Sequence, residues 1–129
     1  MKDSVSVALI GAGRTGTPLL QELFNYPYVT FAGVADLNDQ AEGMALAREK
    51  GIATFTDPMS LVALGEEIDI LVEVSGDTSL KKQIKDAFEK SGNRHTLIMH
   101  DLIARLFISV CTRQQDMIPS LHPDDIGVG

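Results

Sequence analysis

Three glycines, Gly11, Gly13 and Gly16, stand in G-x-G-x-x-G spacing between the apolar run Val5 to Ile10 and a segment of helical period. Glycine lacks a Cβ, so it permits a tight turn and lets backbone N–H groups come close to a ligand. A helix that starts there adds unpaired N–H donors and the positive end of its dipole, and both attract an anion. In this context Gly11 allows the turn, Gly13 admits a pyrophosphate and Gly16 lets helix and strand pack closely. The chemistry expected of Gly11, Ala12, Gly13, Arg14, Thr15 and Gly16 is the cradling of phosphate.

A carboxylate sharpens the expectation to a dinucleotide. Asp36 ends the second apolar run, 20 residues beyond Gly16. There it can accept hydrogen bonds from an adenosine ribose and repel a 2′-phosphate, which favours NAD over NADP. Its alternative role is to cap the next helix. Arg14 can lie along the pyrophosphate, stack on adenine, tolerate a 2′-phosphate, or simply be a solvated surface arginine.

Candidates for bond-breaking chemistry are few. His100 and Asp101 stand where a fifth strand would open on the cleft, and histidine titrates near neutrality, so the two form a possible acid–base pair. Alternatively Asp101 caps the last helix, and His95 and His100 only line strand ends. No His, Cys and carboxylate cluster has metal-ligand spacing, so no metal is expected. Cys111 lies mid-helix among apolar residues and reads as an inert core thiol.

The elements that must position these residues follow from apolar periodicity. Strands are expected at Val5 to Ile10, Val29 to Ala35, Ala53 to Thr56, Ile68 to Val74 and Thr96 to Met99. Between them run helices: one with Gly16, Leu19, Leu20, Leu23 and Phe24 on its inner stripe, ended by Pro27, and one with Ala41, Met44, Ala45 and Arg48 on one side, stopped at Gly51. The latter is expected to be capped by Asn38 or Asp39, with Glu42 completing a capping box. A third starts at Asp57-Pro58, a fourth spans Asp77 to Ser91 with Gly92 as its stop, and a last one runs from Asp101 to about Arg113. Alternating strands and helices require crossovers and hence a parallel sheet. The fold class is therefore α/β, a doubly wound parallel sheet of about five strands in the order 3-2-1-4-5. Residues 1–113 form the domain, and 114–129, with Pro119, Pro123 and paired aspartates, form an irregular tail.

Val7-Ala8-Leu9-Ile10-Gly11-Ala12-Gly13-Arg14-Thr15-Gly16, Val34-Ala35-Asp36 and Ile68-Asp69-Ile70-Leu71-Val72-Glu73-Val74-Ser75-Gly76 together resemble the N-terminal, Rossmann-type domain of several dehydrogenases. These are the homoserine dehydrogenase, aspartate dehydrogenase, dihydrodipicolinate reductase and glucose–fructose oxidoreductase-like families. The resemblance covers roughly residues 4 to 110 and implies an NAD(P)-binding domain. It also implies that the loop at Val74, Ser75, Gly76 and Asp77 passes near the nicotinamide ribose, where Ser75 either bonds a ribose hydroxyl or serves the turn. Where the glucose–fructose oxidoreductase-like families carry Glu-Lys-Pro with a catalytic lysine, this chain has Met99-His100-Asp101. The C-terminal catalytic domain of those enzymes is not matched. The stretch is also similar to N-terminal segments of bacterial signalling proteins.

The last helix carries Leu102, Ile103, Ala104, Leu106, Phe107, Ile108, Val110 and Cys111 around most of its circumference, with a narrow polar stripe of Asp101, Arg105, Ser109 and Thr112. One sheet face covers about a third of a helix, so a further cover is expected. The expected cover is a second copy, giving a homodimer through residues 101–113; the alternative is that the tail from Gln114 folds back over it.

Composition bounds the partners. The chain has 129 residues, 44% of them hydrophobic, the size of one domain. Its net charge of -7 disfavours nucleic acid and anionic membranes. One cysteine, no leader-like start and no apolar stretch near the roughly 20 residues of a membrane helix lead us to expect a cytoplasmic protein. The function expected is an NAD(P)-binding module, regulatory, sensory or a cofactor-binding subunit, with a partner protein or domain as a candidate docking site. The alternative is a small oxidoreductase whose substrate site forms across a dimer interface from His100, Asp101 and the neighbouring tail, or one part of a split dehydrogenase.

Overall fold

A computed structural model describes residues 3–120. It contains five parallel strands: β1 (Val5–Ile10), β2 (Val29–Ala35), β3 (Thr54–Phe55), β4 (Ile70–Glu73) and β5 (Leu97–His100). Their order is β3-β2-β1-β4-β5, the expected order, with the first strand central. Pairing from β1 runs outward on both sides, Ile10 beside Ala35 of β2 and beside Glu73 of β4. The carboxyl ends of β2, β1 and β4 therefore lie together, at the point where the chain switches from one half of the sheet to the other.

Alternation along β1 divides the core. Val7 and Leu9 face one layer, formed by α1 (Gly16–Leu23), α2 (Glu42–Glu49) and α5 (Asp101–Cys111). Ala8 and Ile10 face the other, formed by α3 (Pro58–Val62) and α4 (Thr78–Ser91). Burial on both faces explains why β1 is apolar but for Ser6, and β4 but for Glu73. Each fully buried Leu or Ile contributes roughly 1.5–3 kcal/mol of transfer free energy.

The helix ends follow local chemistry. The Asp57 side chain accepts from Met59 N–H and Asp77 from Ser79 N–H, each at 3.0 Å, capping α3 and α4. Gly92 ends α4 in the left-handed conformation at φ 75°. The capping box expected at α2 does not form. Ala41 is the N-cap, Asp39 is paired with Arg48, and the Gly43 N–H donates to the Ala12 carbonyl at 2.9 Å. The glycine turn thus supplies the acceptor that a capping side chain would have given. Its close approach also sets the rotation of α2, burying Gly43, Met44 and Ala47 and leaving Ala45 and Arg48 outside.

The last helix turns its polarity inward. Asp101 and Ser109 are buried, whereas Leu102, Ile103, Leu106, Phe107 and Val110 are exposed. Among the described residues the chain after α5 folds back over the polar stripe and leaves the apolar arc exposed. Arg105 Nη1 donates to the Ile118 carbonyl at 3.0 Å, and the Ile118 N–H donates to Ser109 Oγ at 2.9 Å. The remainder of the expected tail, 121–129, lies outside the described residues. Among the described residues no helix is long and apolar enough to cross a membrane.

Candidate functional site

Ala12 is the fixed point of the glycine turn. Its N–H donates to Asp36 Oδ2 at 2.8 Å, and its carbonyl accepts from Thr17 Oγ1 and Gly43 N–H, each at 2.9 Å. One residue between the first two glycines thereby ties β2, α1 and α2 together.

The three glycines do different work. Gly11 sits at φ 100°, and a Cβ on it would lie 2.8 Å from the Ser75 nitrogen. Gly16 packs so tightly that a Cβ would stand 1.7 Å from the Gly11 carbonyl oxygen. At Gly13 a Cβ would meet nothing within 4 Å. Two glycines are therefore demanded by the protein's own packing, while Gly13 faces open space.

That space is a cleft of about 380 Å³, lined by Gly11, Gly13, Arg14, Thr15, Asp36, Leu37, Pro58, Ser75 and Asp77 together with Ile10, Val74 and Leu80. It lies over the carboxyl ends of β1, β2 and β4, where open α/β sheets bind ligands. No side chain caps the N-terminus of α1 at Thr15, which leaves that end of the helix to an anion. A pyrophosphate fits this floor, since it needs a close backbone approach and donors, and Gly13 with the start of α1 offers both.

Asp36 stands at one side of the cleft with both carboxylate oxygens engaged. Oδ2 takes the Ala12 N–H, and Oδ1 takes the Asn38 N–H at 2.8 Å. A carboxylate has about four lone-pair sites, so two remain for ribose hydroxyls. Asp36 does not cap α2, whose N-cap is Ala41. Ser75 stands at the other side. Its hydroxyl donates to Glu73 Oε1 at 2.6 Å and accepts from the Asp77 N–H at 3.2 Å. Gly76, at φ 82°, turns this loop.

Of the residues expected at the site, Gly11, Gly13, Arg14, Thr15, Asp36 and Ser75 line the cleft; Ala12, Gly16 and Gly76 shape it from behind. His100 and Asp101 lie apart from the lining. His100 is buried with Nδ1 3.6 Å from Glu73 Oε2, and Asp101 is bound to Arg105 Nε at 2.7 Å. His95 is at the opposite, amino edge of the sheet, 2.6 Å from Asp69 Oδ1. Among the described residues no group of three or more His, Cys, Asp or Glu is placed to hold a metal ion. Sequence reasoning did not place Ile10, Leu37, Pro58 or Leu80 in the cleft lining. Leu37, 79% exposed, carried one local signal, a large apolar residue directly after the strand-end acid.

The fold is shared with dehydrogenases. A myo-inositol dehydrogenase from Corynebacterium glutamicum superposes with a TM-score of 0.58 at 22% identity, over 83% of this chain and 32% of that one. A UDP-N-acetylglucosamine 3-dehydrogenase from Acidithiobacillus ferrooxidans gives 0.54 at 19% identity, over 86% and 36%. An Agrobacterium radiobacter oxidoreductase, solved with NAD+, L-tartaric acid and magnesium, gives 0.54 at 16% identity, over 88% and 34%. In sequence, the acetaldehyde dehydrogenase of Chloroflexus aurantiacus is 35% identical over 86 residues, 66% of this chain and 27% of the relative. The chain thus spans about a quarter of the length of this curated relative. No family model matches. The Rossmann-type architecture is that of the nucleotide-binding domain of such oxidoreductases, as the sequence resemblance implied.

Proposed function

We propose that this domain binds a dinucleotide, NAD in preference to NADP, across the switch point of the sheet. The pyrophosphate lies over Gly13 at the start of α1, the adenosine ribose meets Asp36, and the second nucleoside reaches Ser75 beyond β4. Leu37 and Pro58 offer apolar contact to the adenine. The observation that carries this reading is the contrast among the three turn glycines: of Gly11, Gly13 and Gly16, Gly13 alone fronts empty space, and it lines the cleft that Asp36 also lines. NAD in the Agrobacterium oxidoreductase on the same fold supports it.

We read the domain as a binding module, sensory or regulatory or a cofactor-carrying part of a larger assembly. The cleft lining presents carboxylates, hydroxyls and Arg14 but no imidazole, thiol or lysine. The exposed apolar arc of α5 supports a second copy, a homodimer through this helix, or a partner domain seated there. An acidic surface and a single cysteine fit a reducing cytoplasm. A second reading, that the domain serves an NAD-dependent oxidoreductase, is favoured by the 35% identity to an acetaldehyde dehydrogenase.

Calorimetric titration with NAD, NADH, NADP and NADPH tests the proposal. Binding of NAD at micromolar to submillimolar concentration is expected, with NADP weaker; if no dinucleotide binds at millimolar concentration, the reading fails. The oxidoreductase reading requires a deuteride on NADH to be transferred to an aldehyde, a hydroxy acid or an amino acid precursor. A label that stays on the cofactor speaks for the sensor.

A further inference from the structure

We propose that Glu73 is the positioning residue for the β4 side of the cleft, holding the Ser75 loop where the second nucleoside of the dinucleotide must lie. The proposal rests on the nucleotide reading above. Glu73 ends β4 and is completely buried, flanked by the buried apolar residues Val72 and Val74. A carboxylate removed from water is costly unless donors and charge replace its hydration. Here the replacement comes chiefly from one residue: Oε1 accepts from the Ser75 N–H at 2.9 Å and from the Ser75 hydroxyl at 2.6 Å. The other oxygen, Oε2, faces His100 Nδ1 at 3.6 Å, and Glu73 and His100 are register partners in the sheet.

Beyond its contact with His100, what the acid adds over the apolar side chains beside it is the fixed direction of Ser75. That direction matters on both sides of the loop. The Ser75 nitrogen is pressed against Gly11, where a Cβ would lie 2.8 Å from it, so the loop and the phosphate turn share one boundary. The hydroxyl of Ser75, a cleft-lining residue, donates to Glu73 and accepts from the Asp77 N–H, so its oxygen keeps acceptor capacity but no proton for a ligand. A ligand hydroxyl must therefore donate to it. Sheet order puts this acceptor across β1 from Asp36, which assigns the two acceptors to the two sugars of a dinucleotide.

The test compares NAD with AMP, which reaches Asp36 but not Ser75, on wild type, Glu73→Leu and Glu73→Gln. Leucine removes the acceptor and keeps the volume, while glutamine keeps an acceptor oxygen. We expect Glu73→Leu to weaken NAD about tenfold, to leave AMP within about twofold, and Glu73→Gln to restore most of the NAD affinity. Unchanged NAD affinity in Glu73→Leu overturns the proposal, as does an equal loss for NAD and AMP, or a glutamine variant as weak as leucine. Should Glu73→Leu not fold, amide exchange of wild-type protein decides: the Ser75 N–H is expected to be protected, and free exchange overturns the anchor. Wild type that binds AMP but gains nothing from the second nucleoside sinks this proposal and spares the nucleotide reading. Wild type that binds neither sinks the nucleotide reading, and the Ser75 amide still decides the anchor.

Discussion

Asp36 Oδ2 accepts the Ala12 N–H at 2.8 Å, so the acid at the tip of β2 is hydrogen-bonded directly to the glycine turn at the tip of β1. The acid proposed to set ribose preference is thus also a structural member of the turn. A change in ligand preference and a change in stability are expected from the same side chain, and the two can be separated by choice of substitution.

Asp36→Ala loses the acceptors for both Ala12 and Asn38 and is expected to destabilise the fold by about 2 kcal/mol. Asp36→Asn keeps an acceptor oxygen but removes the charge that repels a 2′-phosphate. It should cost less stability while narrowing the preference for NAD over NADP. Urea unfolding with parallel titrations of both cofactors checks this. An asparagine variant with wild-type selectivity would remove Asp36 from ribose recognition and leave it the turn.

The glycines separate packing from binding. Gly16→Ala must place a Cβ against the Gly11 carbonyl, and we expect a loss of about 3 kcal/mol from overpacking. Gly13→Ala enters open space and should change stability by less than about 0.5 kcal/mol. It should nevertheless weaken dinucleotide binding at least tenfold, because the methyl group occupies the approach of the pyrophosphate. Equal NAD affinity in wild type and Gly13→Ala would locate the phosphates elsewhere.

What was legible in the sequence was what is local. The strand–turn–helix context of Gly11 to Gly16, the distance to Asp36 and the caps at Asp57, Asp77 and Gly92 each depend on a few neighbouring residues. The alternation of strands and helices carried the parallel sheet, and its order followed from placing the first strand centrally. The parts that depend on distant residues were not legible. Glu73 interrupts an apolar strand, and although Ser75 stands only two positions on, the burial of the acid and its contact with His100 come from the neighbouring strand and the layers around it. The α2 capping box failed because Ala12, some 30 positions earlier in the chain, supplied the acceptor. On α5 a polar stripe reads as a solvent face, but the returning chain at Ile118 bonds Arg105 and Ser109 and leaves the apolar arc outside.

Cys111 is half-buried at the end of α5, and burial, with the nearby Glu22 carboxylate adding to it, pushes its thiol above the ordinary cysteine value. Less thiolate is then present at neutral pH than on an exposed cysteine, and the thiolate is the nucleophile. Alkylation by iodoacetamide should be slower than that of a free thiol at pH 7.5 and still rising above pH 9. The same shift has a definite sign for stability: the native state holds its proton longer, so this contribution is present at neutral pH and is lost as pH rises through the native value. Rapid alkylation at pH 7 would contradict the burial of the thiol.

The α5 arc is the last case, and it turns on what a helix face costs in water. Leu102, Ile103, Leu106 and Val110 are between 50% and 67% exposed and contiguous along one side, with no charge among them. Such a face is expected to be covered in the protein's working state. A second copy covers it by two-fold pairing, in which the same patch serves both partners. Leu106→Glu and Val110→Glu should leave the stability of the monomer within about 0.5 kcal/mol, because neither side chain packs in the core. The same substitutions should shift sedimentation from dimer to monomer and abolish any dependence of Tm on protein concentration. If wild type already sediments as a monomer at high micromolar concentration, a second copy is not the cover. If the glutamate variants remain dimeric, the interface lies on another face.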